Sequence, residues 1–521
     1  MILTRIESIF VNRCLLNLRP IRRDVTESSG APEILPELSS AAHKFNRKKL
    51  EKAPFSHNGK HPGNILFGHM LRLMIFVGTS IIFRKFEADK IPLNKGGRIS
   101  VATHINGLID PSVMIQTQKK RIISLGRHDL ITGPIIGWWS RRNGAQPVLR
   151  KAEMEAGLTD SEFAKKINHR SMLTIANCLA GGHGAVIMPE GKSHQDSRLH
   201  ALRTGAARAA LVAAAIANER ENSPPVIQPT GLHWKTHYWF RTNCFVEYSD
   251  PIKISLVFNK EDSVKLESGE WIEPPSDAVH ELKEKMYNAL SPLTPESPDW
   301  ETFRALKLIA NLEANNNQNP LTKLSQEVYS ARRIREKLKI DTNIQNIIPD
   351  AIEAGEILHS HNLDSSSIGP NQKLKKLDLK LQTKALIGIL IMGIFFLPTL
   401  LGSGIQSVLA RNMANNSDEG LDARTTYFFL AAMFSPIFFW PSISFLVLFI
   451  MELSIFSLIG ITSIFAISLS FYISSLIFLQ GYDFWCDYKV ALVRENLSKS
   501  DEGARLNTLL VNLESQLGLL I

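Results

Sequence analysis

The stretch Arg98-Ile99-Ser100-Val101-Ala102-Thr103-His104-Ile105-Asn106-Gly107-Leu108-Ile109-Asp110-Pro111 decides how this chain is read. Its first residues are an apolar run of strand length. The run ends in a short turn that holds a histidine, a glycine and an aspartate. The end of a buried strand is where an α/β domain exposes its chemistry. A carboxylate bonded to one ring nitrogen of His104 would fix the tautomer and stabilise the imidazolium formed when the other nitrogen takes a proton. Such a dyad removes a proton from a hydroxyl without a metal or a nucleophilic serine. The simpler alternative is a histidine that closes the loop and an aspartate that opens the next turn.

Three further stretches repeat the pattern of an apolar run entering a turn. Gly144-Ala145-Gln146-Pro147-Val148-Leu149-Arg150-Lys151 ends on two cations. Ala185-Val186-Ile187-Met188-Pro189-Glu190-Gly191-Lys192-Ser193-His194 carries Glu190, Gly191 and Lys192 at its mouth. Pro225-Val226-Ile227-Gln228-Pro229-Thr230-Gly231-Leu232 runs into a glycine turn. In order and spacing the four stretches resemble the glycerophospholipid acyltransferase superfamily, the PlsC-type domain, over roughly residues 65 to 255. His104 and Asp110 match its His-Asp motif, Gly144–Arg150 its second block, Met188–Gly191 its Phe-Pro-Glu-Gly block and Val226–Gly231 its fourth.

Two departures stand out. Five residues separate His104 from Asp110 where the usual motif has four; this resembles the glycerol-3-phosphate acyltransferase branch. The third block usually carries an arginine two residues after its glycine, and here that position is Ser193. The resemblance implies acyl transfer from acyl-CoA or acyl carrier protein to a glycerol phosphate, with no cofactor and no metal. It makes His104 the base and Asp110 its orienting partner. It assigns the acceptor to Glu190 and Gly191; with Ser193 in place of the family's arginine, Arg150, with Lys192 or Arg203, is expected to supply the charge for the phosphate. Lysophosphatidate is the alternative acceptor, and dihydroxyacetone phosphate a third. An inactive lipid-binding scaffold is the alternative of another class, opposed by the intact His104, Asp110, Glu190 and Gly191. A small transporter with a regulatory domain is opposed by the scarcity of intramembrane charge.

At 521 residues and net charge +9 the chain exceeds a single small domain and suits anionic lipid or phosphorylated substrates. It shows no zinc-finger spacing and no aromatic-basic interleaving, which argues against nucleic acid as a partner. Cys14, Cys178, Cys244 and Cys486 are too scattered for a disulfide framework or a zinc site. Residues 98–103, 121–125, 145–149, 184–188, 225–230 and 243–248 read as strands; 111–117, 134–141, 160–179 and 204–219 read as helices. Such alternation predicts an α/β fold, a mixed sheet flanked by helices, with the four motifs along one edge. A helix opening near Gly205 would point free N–H groups toward that edge.

The expected organisation is a basic, largely disordered segment over 1–60, the acyltransferase domain over 61–260, a charged helical linker over 261–384, transmembrane helices over 385–482 and a tail over 483–521. Residues 2–16 suit a basic amphipathic helix, and 65–84 an interfacial or half-buried helix. The uncharged stretches 385–401, 425–451 and 453–482 predict about three spans, with Glu452 at a turn. They read as an anchor. Five lysines against one aspartate over Lys373–Lys384 predict that this side, with the catalytic domain, faces the cytosol of a bacterial inner membrane or endoplasmic reticulum.

Overall fold

The computed structural model describes residues 43–340, 345–416 and 421–518. The amphipathic helix expected over 2–16 lies outside them. Strands β1 (Phe83–Ala88), β2 (Arg98–Val101), β3 (Ile122–Arg127), β4 (Gln146–Val148), β5 (Gly184–Ile187), β6 (Val226–Trp234), β7 (Thr242–Tyr248) and β8 (Ile252–Lys253) form one mixed sheet. Its order is β1-β7-β6-β2-β5-β3-β4, with β8 paired to β6. The run β6-β2-β5-β3-β4 is parallel, whereas β7 is antiparallel to β6. Val101 pairs with Ile187 on one side and Pro229 on the other, so the turns after β2 and β5 emerge together, whereas β6 does not turn at Gly231 as expected but runs on to Trp234, with Gly231 paired to Glu247 of β7.

The sheet is covered on both faces because its side chains alternate with period two. Ile99, Val101, Ala185 and Ile187 face one apolar layer. That layer contains α3 (Ser161–Ala180), the alanine-rich α4 (Gly205–Glu219), α5 (Lys260–Ser268) and α6 (Ser276–Leu290). Val186, between them in β5, faces the other layer, with α1 (Ile65–Ile82) and α2 (Ile109–Gln116). The sheet domain therefore continues through α6, past the boundary expected at residue 260. Residues 43–60 also differ from expectation: Leu50 is fully buried against Leu149, Phe163 and Ile167.

The following helices are α7 (Trp300–Asn316), α8 (Leu324–Leu338) and α9 (Ile348–Ser360), then α10 (Leu379–Asn415), α11 (Leu421–Phe434), α12 (Trp440–Ile450), α13 (Leu458–Ser498) and α14 (Asp501–Gly518). Here too the expectation is corrected. The described part of the expected tail, residues 483–518, is helical and packed: Leu506, Leu509, Leu510 and Leu513 of α14 are buried with Leu308, Ile309 and Leu312 of α7. Hydrophobic periodicity makes both helices amphipathic, but only their packing shows that segments so far apart in sequence share a core.

Four helical stretches among the described residues are long and apolar enough to cross a bilayer: Ile65–Ile82, Leu379–Asn415, Thr425–Ile450 and Leu458–Ser498. The first, α1, is expected as an interfacial or half-buried helix; it is part-buried, packs against α11 and is long and apolar enough to count as a fourth beside the three expected. Leu390, Ile394, Leu397 and Phe465 are exposed, which suits a lipid surface and not water. Close approach of α10 and α13 depends on small residues: a Cβ on Gly388 would lie 2.6 Å from the Gly481 carbonyl oxygen. Glu452 sits in the turn between α12 and α13, as its charge requires.

Helix α8 is pinned to the sheet by charge. Both Nη atoms of Arg332 donate to Glu247 of β7, at 2.7 and 2.6 Å, and His233 Nε2 lies 2.9 Å from the same carboxylate. Burial alone would raise the Glu247 carboxyl, but the bonds from Arg332 and His233 outweigh it and hold the pKa at about 2. A carboxyl depressed on folding stabilises the fold above its unfolded pKa, and that stability is lost as pH falls through the folded value. The contribution of Glu247 should therefore be complete above about pH 4.5 and decline toward pH 2. Arg332→Gln should lower the melting temperature in detergent at pH 7 and flatten its dependence on pH below 4.5. An unchanged melting profile would show that this pair does not hold α8.

Candidate active site

The site grows from the turn after β2. The Asp110 side chain is fully buried at the first turn of α2 and His104 keeps 22% exposure. Asp110 Oδ2 accepts from Ile105 N–H at 2.9 Å and Asn106 N–H at 2.8 Å, and His104 Nδ1 lies 2.9 Å away. Gly107 takes a positive φ of 44° in this turn, a backbone state that side chains disfavour. With Nδ1–H directed at Asp110, Nε2 is the ring atom left to accept a proton. The five intervening residues let the chain start a helix and still return the carboxylate to the ring.

The turn after β5 locks onto the first. Glu190 Oε1 accepts from the backbone N–H of His104 at 3.2 Å, and His194 N–H donates to the His104 carbonyl at 3.0 Å. Glu190 Oε2 bonds His194 Nε2 and accepts from His200 N–H at 3.2 Å. Three bonds to this buried carboxylate leave room for one more donor, such as an acceptor hydroxyl. Its first task in the structure, however, is to hold the His104 loop. Glu190, His194 and His200 bring ligand-type atoms within 4.8 Å of one another. The hydrogen bonds account for these atoms without a cation. His194 Nδ1 accepts from Asp196 N–H at 3.1 Å, so Nε2 carries the proton given to Glu190 and has no lone pair for a metal.

Gly191 has φ 75°, and a Cβ there would lie 3.2 Å from Arg203 Cγ. Arg203 thus crosses the β5 turn, its own N–H donating to Pro189 O at 2.7 Å. Lys192 is half-buried on the same turn. The structure therefore brings together His104, Asp110, Glu190, Gly191, Lys192 and Arg203. Arg150 stands apart. It follows β4, three strands from β2, or about 14 Å across the sheet. Its guanidinium bonds the buried Glu153 at 2.6 and 3.0 Å. Sequence reasoning passed over Arg127, at the end of β3, one strand from β5 and bonded to Asp129 at 2.8 and 3.1 Å. A cation at a strand terminus was the available signal. It also missed Gln195 and Trp300, whose bonds tie the β5 turn to Ile105 O and to α7. A narrow recess is lined by Thr103 and Ile105, which flank His104, together with Arg198, Thr230, Leu293 and Trp300.

Cys178 and Cys244 are buried in the sheet domain. Burial pushes the Cys178 thiol up to about 12 and the Cys244 thiol well above its ordinary value. Neither supplies a thiolate nucleophile at neutral pH. Cys178→Ala and Cys244→Ala should keep activity within about threefold, and denatured protein should retain no radiolabelled acyl group. Trapped acyl-cysteine would overturn a direct-transfer reading.

Residues 84–232 match the acyltransferase family model. The chain is 26% identical over 155 residues to glycerol-3-phosphate O-acyltransferase 2 of Saccharomyces cerevisiae, covering 30% of this chain and 19% of that one. It is 25% identical over 228 residues to glycerol-3-phosphate O-acyltransferase 1 of the same yeast, covering 42% and 28%. The match thus spans less than a third of either yeast relative. A crystal structure of the 1-acyl-sn-glycerophosphate (LPA) acyltransferase PlsC from Thermotoga maritima aligns with TM-score 0.25 and 13% identity, over 42% of this chain and 79% of that one. Residues 84–232, which hold the His-Asp turn and most of the sheet that presents it, are thus similar to the acyltransferase family.

Proposed function

We propose that this protein is a membrane-bound O-acyltransferase that transfers a fatty acyl group from acyl-CoA or acyl carrier protein to glycerol-3-phosphate. The observation that carries this reading is the His104–Asp110 pair at 2.9 Å, with the carboxylate fully buried and the ring partly open. His104 Nε2 takes the proton of the acceptor hydroxyl as its oxygen attacks the thioester carbonyl. The tetrahedral intermediate collapses, the carbon–sulfur bond breaks, and the imidazolium returns the proton to the departing thiolate. Asp110 stabilises the imidazolium between the two transfers. Backbone N–H groups around Gly107 or Gly191 are candidate donors to the developing oxyanion. Arg203 and Lys192, on the β5 turn, are the cations for the acceptor phosphate in this reading, with Arg150 farther along the sheet edge.

Glycerol-3-phosphate is favoured by the names of the yeast relatives and by the His-to-Asp spacing. Lysophosphatidate is the second reading, because the catalytic turn abuts apolar α11 and an acylated acceptor would arrive from that side. The lysines of 373–384 favour a cytosolic catalytic face.

His104→Ala and Asp110→Asn should each lower turnover at least about a hundredfold with membrane integration unchanged. Release of free thiol from acyl-CoA, measured with each acceptor in turn, is the assay. Near wild-type turnover of His104→Ala would remove the mechanism. Arg203→Ala and Lys192→Ala should raise the acceptor Michaelis constant more than the donor constant, and more than Arg150→Ala does. Paired, charge-assisted bonds to phosphate are lost without arginine, so Arg203→Lys should recover only part of the loss. Normal acceptor kinetics in all three alanine variants would place the phosphate elsewhere.

A further inference from the structure

We infer that α11 is a positioning element of the active site: Thr425 and Thr426 hold the His104–Asp110 turn, and the apolar C-terminal helices are a working part of the catalytic unit. The inference rests on the acyl-transfer reading above.

Asn106 is 1% exposed, with all its polar side-chain atoms engaged. Its Oδ1 accepts from Thr425 Oγ1 at 2.6 Å, and its Nδ2 donates to His237 O at 2.9 Å. Its backbone N–H donates to Asp110 Oδ2, the same oxygen that faces His104 Nδ1. One residue therefore links a membrane-type helix to the carboxylate that aligns the base. Two positions on, Leu108 N–H donates to Thr426 Oγ1 at 3.2 Å, immediately before α2 begins. Apolar packing supports both bonds. Phe429 and Met433 of α11 are buried with Ile105, Ile109 and Val113 of the turn and α2. Phe429 fits because position 78 is glycine; a Cβ there would lie 2.7 Å from Phe429 Cε2.

The direction of the Thr425 hydroxyl separates this contact from ordinary helix chemistry. Serine and threonine in helices usually bond back to a carbonyl one turn earlier. Ser407, Ser435, Ser444 and Thr462 of the apolar helices do so, to Ser403, Ala431, Trp440 and Leu458. Thr425 instead donates across 319 positions to Asn106. Loss of that bond frees the Asn106 side chain and loosens the turn without touching either substrate. A small misplacement of a catalytic group costs turnover more than it costs binding.

The test uses the full-length protein in membranes. Thr425→Val keeps the shape and removes the donor. It should lower kcat about tenfold while both Michaelis constants stay within about twofold. Thr425→Ser should restore most of the turnover. In an Asn106→Ala background Thr425→Val should cause no further loss, because the partner is already gone. Asn106→Cys with Thr425→Cys should be bridged by a short bifunctional thiol reagent, which reads the contact without any activity. Wild-type kcat in Thr425→Val, additive losses in the double variant, or no bridging would each overturn the positioning role. If Thr425→Val fails to fold, Thr426→Val and the serine variant decide by the same split between kcat and the Michaelis constants. A wild-type protein that transfers no acyl group to any acceptor would overturn the function itself, and the positioning role with it.

Discussion

The burial of one carboxylate governs the rest of the structure. Asp110 is taken wholly out of water. Such a group is tolerated only where hydrogen bonds replace its hydration. Two backbone N–H groups and the His104 ring supply them to Oδ2, while Oδ1 has no protein partner among the described residues, and all three come from the turn that β2 delivers. The need to solvate Asp110 from within fixes the path of residues 104–110, and that path sets the direction of His104. Glu190 repeats the arrangement one strand away, with its bonds reaching back to the His104 backbone. One buried carboxylate thus closes the β2 turn from within, and the other braces that turn from across the β2–β5 pair.

That bracing explains why helices far from the motifs in sequence are packed against them. A turn closed by internal bonds is stiff only if its outer surface is also held. Trp300, at the start of α7, donates to Gln195 O on the β5 turn, and α11 supplies Thr425 and Thr426 on the other side. The charged segment after the sheet domain is therefore more than a spacer. Through α8 and its Arg332–Glu247 contact it grips the antiparallel strand β7; through α7 it shares a second core with α14. The apolar C-terminal helices, which composition presents as an anchor, pack through α11 directly against the His104–Asp110 turn.

Several elements were legible before the fold was seen. The strand-to-turn positions of His104 and Glu190 follow from short apolar runs, and β2 and β5 occupy nearly the residues expected; β6 instead passes through the expected glycine turn, because Thr230 to Trp234 pair with β7. The long helices α3 and α4 are equally plain, from amphipathic spacing and from alanine content. Strand β1, Phe83–Ala88, was not legible: its composition, Phe-Arg-Lys-Phe-Glu-Ala, lacks the clean alternation of a half-buried strand. It becomes a strand because β7 offers a parallel edge to pair with. The fourth apolar helix was undervalued for a related reason. His69 and Arg72 interrupt α1, but Arg72 turns to the carbonyls of Ile115, Gln118 and Lys120 and leaves the apolar face to α11.

By itself the sequence determined the chemistry-bearing residue types, their local turns, the α/β alternation and the presence of membrane-type helices, because each depends on neighbours within a turn or a strand. Tertiary structure alone decided which of those residues meet. Arg150 and Arg203 are both cations beside a motif, yet sheet order sets one about 14 Å across the strands from β2 and lays the other over Gly191. Strand order is a choice among long-range pairings that local pattern does not encode. The same holds for Thr425, an unremarked residue at the start of an apolar helix. Only the packing of that helix against α1 and α2 turns its hydroxyl toward Asn106 and makes it part of the site.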